Sequence, residues 1–188
     1  NGFAYIATDI AGVVIIDVSD PANPLFRSNY LTSLDCKDLV ASGDYVYAAS
    51  SWTGLVVINV ANPDDPYLET TLDLNGSAAH YIDSQNDYLY VLGNGIGDRN
   101  LYIVDITTPS NPVIYGSFPG YPKACDVSGE YAYQCDILLG FQSLDISDTT
   151  NIREVSTLKL LNPTDVMVED NYAYVSDSGD LIKVIQLW

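Results

Sequence analysis

One pattern recurs five times along the 188 residues. "GVVIIDVSDPANPLF" starts at Gly12, "GLVVINVANPDDPYL" at Gly54, "NLYIVDITTPSNPVI" at Asn100 and "GFQSLDISDTTNIRE" at Gly140, with a truncated "DLIKVIQLW" from Asp180. A second word precedes each copy: "NGFAYIAT", "GDYVYAAS", "NDYLYVLG", "GEYAYQCD" and "DNYAYVSD". Its second aromatic falls at Tyr5, Tyr47, Tyr90, Tyr133 and Tyr174, a period of about 42 residues. A unit this short cannot bury its own apolar faces, so it must stack on its neighbours.

Each unit reads as four short strands. In the second, "KDLVAS" turns at Gly43-Asp44 into "YVYAAS", then "GLVVINV", then "YLETTLDL" beyond the proline turn. No stretch carries helical periodicity. Four strands per unit of 40 to 45 residues predict an all-β fold, a β-propeller of about five four-stranded blades. The units run approximately 1–34, 35–76, 77–120, 121–161 and 162–188, one propeller that stands alone or belongs to a longer chain. The first lacks its first strand and the last its fourth. Open strand edges of that kind are templates for association with a neighbouring molecule.

The motifs "VVIIDVSDPANP", "LVVINVANPDDP" and "LYIVDITTPSNP" resemble those of LVIVD-repeat proteins, and the resemblance covers nearly the whole chain. It implies a β-propeller and a location on a cell surface, and brings no catalytic residues. The fourth unit departs from it, with Thr149 and Ile152 where the prolines belong.

Within the aromatic word, residues two apart share a strand face. The pairs Tyr45/Tyr47, Tyr88/Tyr90, Tyr131/Tyr133, Tyr172/Tyr174 and Phe3/Tyr5 are therefore expected to fill the wedges between blades. The column Asp17, Asn59, Asp105, Asp145 sits where strand meets turn, and is expected to cap the turn's free amides rather than to hold metal.

Charge narrows the partners. Twenty-five acidic residues against seven basic ones give a net charge of −18, which repels nucleic acid and anionic lipid. No apolar run approaches the roughly 20 residues of a membrane helix. Few lysines, many Tyr, Asp, Asn, Ser and Thr, and the triplet Asn75-Gly76-Ser77, a glycosylation candidate, point to an extracellular or cell-surface protein.

Variation between units collects in the loops joining second to third strands and blade to blade, so binding is expected on that face. Candidates there are Trp52, His80, Tyr81, Asp98 and Arg99 in the glycine-rich "GNGIGDRN", and Tyr121. Asp177 and Asp180 form a weak calcium candidate, far short of a full set of oxygen ligands; no other cofactor is expected. With one histidine no nucleophile–base–acid set assembles, and no catalytic residue is assigned. Cys125 and Cys135 flank the turn at Gly129-Glu130, and a disulfide between them stands as a candidate against two buried thiols. The leading reading is a non-enzymatic extracellular module that binds proteins, self-associates or builds filaments. The alternatives are a propeller glycan hydrolase or lyase using carboxylates of the variable face, and a calcium-stabilised adhesin.

Overall fold

In the computed structural model, which describes residues 2–32, 35–95, 99–179 and 182–187, every regular element is a strand. The first blade holds β1 (Phe3–Thr8), β2 (Gly12–Asp17) and β3 (Leu25–Tyr30). The second holds β4 (Asp38–Ser42), β5 (Tyr45–Ala49), β6 (Leu55–Asn59) and β7 (Tyr67–Leu72). The third holds β8 (Ala78–Gln85), β9 (Tyr88–Asn94), β10 (Arg99–Asp105) and β11 (Val113–Pro119). The fourth holds β12 (Pro122–Ser128), β13 (Tyr131–Asp136), β14 (Gly140–Asp145) and β15 (Arg153–Leu158). The fifth holds β16 (Pro163–Glu169), β17 (Tyr172–Asp177) and β18 (Lys183–Gln186). Each sheet is an antiparallel meander in chain order, so the chain forms a β-propeller of five blades with incomplete first and last members. Among the described residues no helix is long and apolar enough to cross a membrane.

Local chemistry explains the meander. The hairpin between the first two strands of a blade needs a left-handed residue, supplied by Gly43 (φ 58°), Asn86 (φ 55°), Gly129 (φ 62°) and Asp170 (φ 53°). At the same end of the blade, where the next strand runs into its turn, the capping column behaves as expected. Asp17 accepts the Ser19 amide at 3.0 Å, Asn59 that of Ala61 at 3.1 Å, Asp105 that of Thr107 at 2.8 Å and Asp145 that of Ser147 at 3.0 Å. The fourth turn keeps its shape without prolines. Asn151 donates to the Asp148 carbonyl at 2.9 Å, as Asn23 does to Asp20 at 3.0 Å, and the Asp148 carboxylate takes up the Thr150 amide and hydroxyl.

β4, β8, β12 and β16 are innermost, each packed against the next. Four core clusters occupy the four blade junctions in turn. Among the described residues no cluster joins the fifth blade to the first. Tyr47, Tyr90 and Tyr133 fill the wedges as the aromatic pattern predicts, each nearly fully buried against the following blade.

The cysteine bridge does not form. Cys135 pairs with Ala124 and Cys125 with Gln134, a one-residue stagger that sends the two side chains to opposite faces of the sheet. Cys125 packs in the junction with the third blade and Cys135 in that with the fifth, both as buried free thiols. Cys36 is likewise free and buried.

Candidate functional site

The loops between second and third strands share one face with the blade-to-blade links. Ser51 bridges to Ala79 across the second blade's exit, and the Ile137 amide donates to the Tyr121 carbonyl at 3.1 Å. Trp52, in the second blade's loop between β5 and β6, is 57% exposed.

His80, Arg99 and Tyr121 come together. β-bulges in β8, β12 and β16 fall at His80, Lys123 and Thr164, the residues skipped by the ladder at the start of each inner strand. His80 is half-buried with its Nδ1 enclosed and unpartnered; burial lowers its pKa, so the imidazole is neutral at pH 7. The Arg99 guanidinium also acts on it and lies 5.0 Å over the Tyr121 ring. This cluster can stack and donate hydrogen bonds, but it holds no activated nucleophile.

The remaining candidates scatter. Tyr81 packs inward against both flanking junctions, and burial pushes its phenol pKa up. Asp177 accepts the Gly179 amide at 3.2 Å within its own turn. Asp98 and Asp180 lie outside the described residues. Asn75 is exposed in a left-handed turn (φ 54°), whereas Ser77 is buried with its hydroxyl 3.0 Å from that of Tyr102. Among the described residues no three His, Cys, Asp or Glu side chains are grouped to hold a metal ion.

The most regular carboxylates were not among the candidates. Asp38, Asp83, Asp126 and Asp165 lie on the four inner strands, in two columns two residues apart and so on one strand face. Each of the first three reaches into the following blade: Asp38 accepts the Ile82 amide at 3.0 Å, Asp83 the Val127 amide at 3.2 Å, and Asp126 the Val168 amide. Asp38, Asp83 and Asp165 also accept the amide of the residue that follows them. The signal was present as one inner-strand Asp per blade. The two-residue stagger hid it, because in the repeat Asp38 stands at the position of Tyr81 and Asp83 at that of Val40.

These carboxylates hold blades together at an electrostatic cost. Burial raises the pKa of Asp38 and Asp83, with the bonded amides pulling the other way. A raised folded-state pKa favours folding below the unfolded value of 3.8, and the advantage is lost as pH rises through the folded value. The exposed caps Asp17, Asp20, Asp145 and Asp148 have the opposite shift, from their Ser, Asn and Thr hydrogen bonds, and lose their contribution below 3.8. In about 0.5 M salt, which screens surface repulsion, Asp38 and Asp83 are therefore expected to pull the melting temperature down as pH rises above 3.8, against the opposite contributions of the caps and of His80. Asp83→Asn, which removes the charge and keeps one of the two acceptor oxygens, is expected to flatten that slope whatever it costs at a single pH. An unchanged slope would remove the inner carboxylates as its source.

A model of the LVIVD repeat matches residues 1–32, 35–73, 78–119, 119–159 and 162–184. Among curated proteins no sequence matches the chain. The computationally designed Ika8 protein superposes with a TM-score of 0.77 at 12% identity, covering 100% of this chain and 56% of that one. A protein of unknown function from Desulfotomaculum acetoxidans DSM 771 gives 0.78 at 12% identity, covering 97% and 61%. A protein from Lactobacillus plantarum gives 0.76 at 15%, covering 98% and 66%. The chain thus spans less than two thirds of these three structures, and at such identities the likeness is one of fold.

Proposed function

From the premise that this chain belongs to the LVIVD-repeat family, we propose that it is a non-catalytic, extracellular structural or protein-binding module that associates with copies of itself through its open strand edges. The observation that carries the reading is where the chemistry has gone. The recurring carboxylates are occupied by backbone amides, in the turns and between blades. The variable face brings together a neutral histidine, an arginine and a tyrosine, a set suited to contact rather than to bond cleavage.

The edges support association. Among the described residues β1 has no partner on its inner side, and β18 has none on its outer side. Unpaired strand edges with exposed apolar neighbours add strands readily. Sedimentation velocity across a wide concentration range tests this, with Gln186→Pro, whose amide faces the open side of β18, as the edge-blocking variant. Association that weakens in the variant is expected; a monomer at the highest concentration overturns the self-association. A glycan- or calcium-dependent activity that survives purification would overturn the non-catalytic reading.

A further inference from the structure

The fifth blade presents a face that the other blades bury. In the second, third and fourth blades, the face bearing the second tyrosine is covered by the next blade. In the fifth, Met167, Tyr174 and Val184 form the corresponding cross-strand row. Met167 is 54% and Val184 60% exposed, and Asp165, Val166, Met167, Tyr174, Ser176 and Ile182 line a shallow groove of about 210 Å³.

Asp165 identifies what the face fits. Its Oδ1 accepts the Val166 amide at 2.9 Å, the local half of the contact that Asp38 and Asp83 make. Those two spend Oδ2 on an inner-strand amide of the next blade. Oδ2 of Asp165 has no hydrogen-bond partner among the described residues. The first blade of a second copy has an aliphatic face of the right kind, Ala4, Ile6, Val14 and Ile16, but among the described residues no inner strand beside it to supply that amide.

We propose that this face seats a sixth blade of the same repeat, four-stranded, whose near face is aliphatic and whose inner strand donates a backbone amide to Asp165. The interface is continuous with the four junctions already described, and the propellers superposed above extend well past the length of this chain. The inference goes beyond self-association through edges: it concerns a face, and it holds whether or not the chain is a monomer.

The test supplies the blade. Residues 106–159, repeated directly after residue 186, provide the outer strand the fifth blade lacks and one complete further blade. Asp165→Ala is then compared in the original and extended chains, with Asp126→Ala as the internal reference. Asp165→Ala is expected to lower the melting temperature by about 5 °C in the extended chain and by less than about 1 °C in the original. Asp126→Ala is expected to cost the same in both. Equal effects of Asp165→Ala in the two chains overturn the proposal. If the extended chain fails to fold, the original chain still decides: a dimer that Met167→Asp dissociates, while Gln186→Pro leaves it intact, makes the face a self-interface and overturns the proposal. Sedimentation unaffected by Met167→Asp, with that residue's face binding an apolar dye, supports it.

Discussion

Tyr47→Ala is expected to destabilise the protein by about 3–5 kcal/mol, in the range for truncating a large buried aromatic. For a chain of this size that is a fall of roughly 10 °C or more in melting temperature. Tyr47 is 1% exposed and packs in the junction of the second and third blades with Leu55, Val57, Leu89 and Val91. Its removal leaves a cavity that rigid strands on both sides cannot close. The same substitution at Tyr172, 41% exposed on the uncovered face of the fifth blade, is expected to cost less than about 1 kcal/mol. Circular-dichroism melts of the two variants are the measurement. Equal losses would mean that the tyrosines stabilise their own strands and do not act as wedges between blades.

Gly116→Ala is expected to be nearly as damaging, by about 3 kcal/mol, at the upper end for an overpacked site. Gly116 lies in β11 beside the bulge where the ladder slips between Ile103 and Val104. A Cβ there would stand 2.0 Å from the Thr149 carbonyl oxygen in the turn of the following blade. The obstacle is backbone, held by the Asp148 contacts to Thr150 and Asn151, so it cannot rotate aside as a side chain would. Gly129→Ala gives the contrast. Its added Cβ meets nothing within 4 Å, so only the strain of its left-handed backbone is left, about 1 kcal/mol. Urea unfolding of both variants separates the two costs; a Gly116→Ala loss no greater than that of Gly129→Ala would mean the third and fourth blades do not touch there.

Much of the site was less legible than the fold. Within the variable loops, Arg99 and Tyr121 lie 22 positions apart, and only the packing of the third blade on the fourth sets one over the other. Trp52 was legible as exposed because its loop is short and polar. Tyr81 was misleading: as the neighbour of the lone histidine it suggested a ligand platform, yet alternation along β8 turns it into the blade junctions. Gln134 and Gln142 carry no sequence signal at all. They are buried and hydrogen-bonded to each other at 2.9 Å, at positions that hold Ala48 and Val56 in the second blade.

What the sequence determined by itself is whatever depends on a few consecutive residues and on their repetition. Alternating Val and Ile, turn residues able to adopt positive φ, and a short acceptor two residues before its amide specify strands, hairpins and caps without outside help. The number of blades then follows from counting. Only the tertiary structure decided which tyrosine pair stays uncovered, which way each cysteine faces, and what the inner-strand aspartates bind. Those outcomes depend on ladder register and on an adjoining sheet some 40 residues away, and a one-residue stagger reverses a side chain's face while leaving every local pattern unchanged.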